Sequence, residues 1–188
     1  VLYLEGIAGS KTSYIMIQDQ SGEWVEYQQL QGDSNSEWVE LANIPQYMRD
    51  ALISTEDKDF YDNEKGFYLF RTIYAGINDI VGFTRTFGAS TIDQQLVKNL
   101  TQDTVVVGED GDRSAGYERK MREIYRAWAL NKNYSKDMIL EAYFNTMPLT
   151  GTIVGVMAGA MEYYDVEDLN DPTIAQCANI FGITNAPG

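Results

Sequence analysis

From residue 44 onward in this 188-residue chain, outside a polar stretch at 101–116, apolar residues return every three or four positions. That is the spacing of one face of an α-helix. The recurrence constrains the fold more than anything else, because a strand that buries one face needs a period of two. "IPQYMRDALISTEDKDFY" opens with a proline suited to a first helical turn and aligns Met48, Leu52 and Ile53 in one stripe. "YERKMREIYRAWALNKN" reads as a helix with Ile124 and Trp128 on one side. "SKDMILEAYFNTM" reads as another, with Ser135 as N-cap and Asp137 favouring the first turn. Further helices are expected over residues 152–164 and from Asp171-Pro172 onward. Residues 101–116 hold three glycines and four acids and are expected to form a mobile loop.

Upstream the period changes. Residues 12–41 read as strands: a short apolar run, a Gln-Ser-Gly turn, a second run with Trp24, Val25 and Tyr27, and "SEWVEL" as a candidate third strand. The expectation is a mainly α protein with a short β-rich N-terminal segment. Residues 1–37 form the lead-in and residues 38–188 the main domain. Hydrophobic residues make up 44% of the chain, too many for a disordered one.

Composition removes several chemistries. There is no histidine and one cysteine, Cys177. Ser-His-Asp and Cys-His catalysis, His-based zinc sites and an internal disulfide are therefore excluded. Cys177 sits in an apolar run and reads as a small buried hydrophobe. Acid–base chemistry near neutral pH is left to carboxylates, Lys, Tyr or the thiol. The formal charge of −14 should repel nucleic acid and anionic lipid. Eight of the fourteen basic residues nevertheless lie between positions 98 and 136: Lys98, Arg113, Arg119, Lys120, Arg122, Arg126, Lys132 and Lys136. A local cationic site on an acidic body suits a small anionic ligand. For any one of these residues, ordinary ion pairs on a solvated helix face are the better account. No apolar stretch reaches 18 residues, and the chain begins at Val1 without a signal-peptide pattern. The expectation is an excised piece of something longer.

Two glutamates and one short segment are candidates for chemistry. Helical geometry puts Arg119, Glu123, Ala127 and Leu130 on one face, so Glu123 should be partly buried with Arg119 one turn away. Glu56 ends the first helix, where apolar residues give way to charge. Two carboxylates facing one cleft form a plausible acid–base pair for sugar chemistry, but spacing alone cannot bring them together. Simple pairing of Glu123 with Arg119 or Arg126, and of Glu56 with Lys58, stays open. In "GASTIDQQLVKNL", residues 88–100, Ser90 is positioned as an N-cap, with Thr91, Gln94, Gln95 and Lys98 near one side. The glutamines offer donors and acceptors suited to sugar hydroxyls and N-acetyl groups, and Lys98 offers a point charge for phosphate. A solvent-facing helix is the plain alternative.

These segments, taken in order, resemble the motifs of the peptidoglycan glycosyltransferases, glycosyltransferase family 51. "GASTIDQQLVKNL" is similar to G-x-S-T-I-T-Q-Q-L-x-K-N. "TEDKDFYDNEKG" resembles the first motif, E-D-x-x-F-x-x-H-x-G. "RKMRE" resembles R-K-x-x-E, "KDMILEAYFN" resembles K-x-x-I-L-E-x-Y-L-N, and "GVMAGAMEYY" resembles G-x-x-A-A-x-x-Y-F. The family supplies the polymerase module of class A penicillin-binding proteins and of monofunctional enzymes. The resemblance runs from about Trp38 to the last residue.

The resemblance implies a mainly helical, lysozyme-like, two-lobed domain whose smaller lobe touches the membrane. It implies polymerisation of lipid II, an undecaprenyl-pyrophosphate-linked disaccharide-pentapeptide, with inversion at C1. Glu56 matches the general base. Glu123 matches the glutamate that supports the departing pyrophosphate, directly or through a divalent cation (Mg or Mn). Asp57, Ser90, Gln94, Gln95, Lys98, Asn99, Arg113, Arg119 and Lys120 match substrate-binding positions. Lipid II and the growing glycan are the implied partners, nucleic acid is not, and the implied location is the extracytoplasmic face of the bacterial membrane. An anchor is expected to precede Val1, and a transpeptidase domain is a candidate to follow Gly188. The aromatic run at residues 67–83 falls where the family's membrane-touching lobe lies, and interfacial insertion and core packing both suit it.

Two departures bear on the site. Asn63 or Glu64 stands where motif one has histidine, in a segment one residue longer. Asp93 replaces the threonine beside the glutamines, adding negative charge near an anionic substrate. A glycan hydrolase, which also needs paired carboxylates, and a non-catalytic lipid II-binding module are the alternative readings.

Overall fold

A computed structural model describes residues 13–18, 24–30, 38–68, 90–101, 114–150 and 153–185. Two strands, β1 (Ser13–Gln18) and β2 (Trp24–Leu30), pair antiparallel, with a register irregularity between Ile15 and Met16. A 3-10 turn (Leu41–Asn43) leads into α1 (Gln46–Glu56). Then come α2 (Ile92–Thr101), α3 (Ser114–Asn133), α4 (Lys136–Thr146), α5 (Val156–Tyr164) and α6 (Ile174–Asn185). The described chain is mostly helical.

The helix α4 is the centre of the packing. Ile139, Leu140, Ala142, Tyr143, Phe144 and Asn145 are all buried, and a helix buried on most sides must have neighbours on most sides. Those neighbours are α2, α3, α5 and the 3-10 turn, while α1 packs on α6. Met48 and Leu52 of α1, Ile92 and Leu96 of α2, Leu130 of α3 and Phe181 of α6 join the same core. The Phe144 and Phe181 rings meet edge to face at 6.0 Å. Cys177 is fully buried, as its apolar context predicts.

Several boundaries differ from expectation, each for a local reason. "SEWVEL" is not a third strand where it is described. Asn145 accepts from Val39 N–H and donates to Val39 C=O, both at 2.8 Å, and Glu141 accepts from Leu41 N–H. Side chains of α4 thus satisfy the backbone groups a sheet neighbour would have taken. α3 begins at Ser114, so 114–116 are helix and not loop. α5 begins at Val156 and not at 152, because Gly155 has φ 90° and Val154 bridges back to Pro148. α6 starts beyond Asp171-Pro172. Thr173 and Gln176 form its capping box, with Thr173 N–H donating to Gln176 Oε1 (2.7 Å) and Gln176 N–H to Thr173 Oγ1 (3.3 Å). Ser135 does cap α4, accepting from Met138 N–H. Most of the aromatic run, 69–83, and most of the acidic loop, 102–113, lie outside the described residues.

Candidate functional site

The site is built around α2, and its first turn is capped by Thr91 and not by Ser90. Gln94 N–H donates to Thr91 Oγ1, and Thr91 N–H donates to Gln94 Oε1, both at 3.1 Å. This is the reciprocal T-x-x-Q box, a signal present in "TIDQ" that the choice of Ser90 overlooked. Thr91 Oγ1 also donates to Gly66 C=O (2.7 Å), tying α2 to the segment after α1. Asp57 Oδ2 accepts from Ile92 N–H (3.3 Å) and Asp57 Oδ1 from the Tyr68 hydroxyl (3.0 Å). Burial pushes the Asp57 carboxyl above its ordinary range against these hydrogen bonds.

Asp57 and Gln94 therefore serve the start of the helix. Both are buried, and Gln94 folds back on its own turn, so neither presents its hydrogen-bonding groups to a cleft as expected. The Gln94 Nε2 finds no acceptor among the described residues.

Gln95 points the other way. Its Nε2 donates to Glu56 Oε2 and its Oε1 accepts from the Tyr143 hydroxyl, each at 2.8 Å. Glu56 stands at the C-terminal end of α1, half-buried, with one carboxylate oxygen fixed by an amide from α2. Gln95 thus holds a carboxylate where a sugar contact was expected.

The second carboxylate lies on α3. Glu123 is 5% exposed, accepts from Arg119 Nη1 (3.0 Å) on one oxygen and from Lys120 Nζ on the other. Ala127 and Leu130 on the same face are buried, as the helical spacing predicts. Lys120 also donates to Ser90 Oγ at 3.1 Å, which links Ser90 to the Glu123 group. Val97, Lys98 and Thr101 of α2 and Arg119, Glu123 and Arg126 of α3 line a shallow, open cleft between the two helices. Three cationic side chains and a partnered carboxylate surround it. Lys98 is exposed and makes no ion pair among the described residues, and Asn99 beside it is half-buried. Arg113 lies outside the described residues.

Other members of the basic run are occupied elsewhere. Lys132 sits over the Trp128 ring (4.1 Å), Arg122 pairs with Glu118 (3.7 Å), and Lys136 pairs with Asp93. Asp93 is fully buried and accepts from Lys136 Nζ at 3.1 Å on both oxygens and from the Asn131 amide. It faces the α3–α4 junction and is not among the residues lining the cleft, so its charge is met inside the protein. Asn63 is the buried residue of the two at the motif-one departure, its Oδ1 accepting from Lys65 N–H, while Glu64 is exposed.

Tyr143, Asn131 and Lys136 were not read as partners of the site from sequence. Among the described residues no three carboxylate or thiol groups converge as a metal site, and Glu123 already carries two cations. Among the described residues the side chains lining the cleft are mainly cationic and suit an anion.

The family described as Transglycosylase matches residues 23–188. Penicillin-binding protein 1A of Clostridium perfringens (strain 13 / Type A) is 37% identical over 153 residues, covering 79% of this chain and 21% of that protein. Penicillin-binding protein 1A of Clostridium tetani is 35% identical over 156 residues (79% and 18%), and that of Neisseria flavescens 33% over 156 residues (83% and 18%). The chain spans about a fifth of the length of these curated relatives.

Proposed function

Because the chain belongs to the transglycosylase family, we propose that it is a peptidoglycan glycosyltransferase that polymerises lipid II into β-1,4-linked glycan. Glu56 is the general base. It takes the proton from the acceptor's 4-hydroxyl as that oxygen bonds to C1 of the growing chain. The C1–O bond to pyrophosphate breaks on the opposite face, its electron pair leaving with the pyrophosphate and C1 inverting. Pyrophosphate is already a good leaving group, so cations can stand in for a general acid.

One observation carries this reading: the helix α2 joins Glu56, through Gln95, to the Lys98–Arg119–Arg126 cleft beside Glu123. In that cleft Lys98, Arg119 and Arg126 receive the pyrophosphate. Glu123 holds Arg119 and Lys120 in place and so supports the leaving group through them. A glycan hydrolase would have no use for such a cleft.

The reading extends to parts outside these contacts. Residues 38–188 are the glycosyltransferase domain proper, two-lobed and lysozyme-like, and residues 1–37 a β-rich lead-in. Contact of the domain with the membrane surface is part of the same reading. Among the described residues no helix is long and apolar enough to cross a membrane. The whole protein works on the extracytoplasmic face of a bacterial membrane, with an anchor before this domain and a transpeptidase domain after it.

The test is polymerisation of lipid II by wild type, Glu56→Gln and Glu123→Gln. Glycan polymer from wild type and a loss of roughly two to four powers of ten in Glu56→Gln are expected. Fragments from finished peptidoglycan, or lipid II binding without turnover, would overturn the proposal.

A further inference from the structure

We propose that Tyr143 is a positioning residue for the base, its hydroxyl fixing the Gln95 amide so that Nε2 faces Glu56. The inference rests on the reading of Glu56 as general base.

The two ends of a glutamine amide are nearly the same shape, so packing alone does not decide which end faces Glu56. The neighbours decide it. An ionised carboxylate only accepts, so Glu56 Oε2 requires an N–H donor, and Nε2 lies 2.8 Å away. Oε1 then faces Tyr143, whose hydroxyl donates to it at 2.8 Å. The chain has one direction, from Tyr143 O–H through Gln95 to Glu56.

Turning the amide over would present Oε1 to the carboxylate, lone pair to lone pair. It would also leave the Tyr143 proton, at a residue 1% exposed, without its partner. Gln95 is its only side-chain hydrogen-bond partner among the described residues. Burial first, and then the Glu56 charge, hold the Tyr143 phenol well above its ordinary range, so it remains a donor through the working pH range. The arrangement therefore anchors one oxygen of the base.

Tyr143 comes from the centre of α4, whose ring is locked in the core, and Gln95 from α2, which packs on α4. A fully buried phenol thus sets a half-buried amide, and the amide sets the carboxylate at the end of α1.

The experiment is a double-mutant cycle on lipid II polymerisation with Tyr143→Phe, Gln95→Leu and the pair, beside Glu56→Gln. Tyr143→Phe keeps the ring and is expected to lower kcat by about threefold to tenfold, the size of one net hydrogen bond, with KM unchanged. Gln95→Leu should lower kcat by at least as much, and the double variant should match Gln95→Leu alone. A structural effect would instead move thermal stability without this non-additivity.

Losses in kcat that multiply in the double variant would overturn the proposal, as would an unchanged kcat in Gln95→Leu. The latter variant is at a half-buried position and tests the chain even where Tyr143→Phe folds poorly. Full activity in Glu56→Gln would instead overturn the assignment of the base, and the proposal with it.

Discussion

Lys136 on α4 holds its ammonium 3.1 Å from both carboxylate oxygens of Asp93 on α2, and Asp93 is fully buried. Asn131 on α3 donates to the same carboxylate, so three helices meet at one charge. Burial pushes the Asp93 carboxyl above its ordinary range, and the ion pair and the amide oppose that shift. Removing one partner of such a pair leaves the other charge stranded. Asp93→Ala should therefore destabilise the domain by about 3 kcal/mol in urea unfolding. Asp93→Leu combined with Lys136→Met should recover most of it, since a shape-filling apolar pair avoids burying charge. Equal destabilisation in the single and double variants would remove the pair from the account.

The cleft predicts an asymmetry among the lysines of the basic run. Lys98 lines it and is exposed, while Lys132 is held over Trp128. Lys98→Ala should lower kcat by about two powers of ten, the scale of one lost charge-stabilising donor, without lowering thermal stability. Lys132→Ala should leave polymerisation within about twofold of wild type, because a surface cation over a ring contributes only modestly. Comparable losses in both would point to general electrostatic attraction instead of a built leaving-group site.

How much of this could be read from the chain follows sequence distance. The buried face of Glu123 was legible because Arg119, Ala127 and Leu130 are fixed relative to it by one helix. The order of the five motifs told what to expect of Glu56. What joins Glu56 to the rest was not legible, because Gln95 is 39 residues from it and Tyr143 another 48 beyond Gln95. Side-chain direction misled as well. Gln94 and Gln95 are neighbours with the same chemistry, yet a turn of 100° sends one back to Thr91 and the other across to α1. Asp93 looked like a charge added to the cleft until its partner on α4 was found. Asn145 and Glu141 lie on an apolar helix that gave no hint they would displace a third strand.

Asp57 gives a pH prediction with a definite sign. Its carboxyl is raised in the folded state from an ordinary value of 3.8, chiefly by burial. A raised carboxyl favours folding when protonated. Its contribution is fully present below the unfolded value and is lost as pH rises through the folded one. Asp57→Asn does not titrate. Its stability relative to wild type should therefore improve as pH rises above the ordinary carboxylate range and through the raised folded value, whatever its offset at low pH. Urea unfolding of both proteins across that range measures this. A difference that is constant, or that falls with pH, would show that the Tyr68 and Ile92 hydrogen bonds outweigh burial.

Gly66 joins the first motif to α2 and α3 by close approach. Its φ is 69°, a conformation that disfavours a side chain, and its carbonyl accepts from Thr91 Oγ1. A Cβ there would stand 2.9 Å from the Ala127 carbonyl oxygen and closer still to the Asn131 side chain. Backbone cannot yield to it, so Asn131 must, and Asn131 is the residue that donates to Asp93. Gly66→Ala should cost at least about 2 kcal/mol, combining the strained backbone with the displaced amide. The damage should also overlap with that of Asp93→Ala, because both act through Asn131. Their combined destabilisation in urea should fall short of the sum by roughly 1 kcal/mol, whereas independent sites would add within about 0.5 kcal/mol. Strict additivity would mean that the cost at Gly66 is confined to its own backbone and to Thr91. A shortfall would show that motif one, the second helix and the buried ion pair respond as a single packed unit.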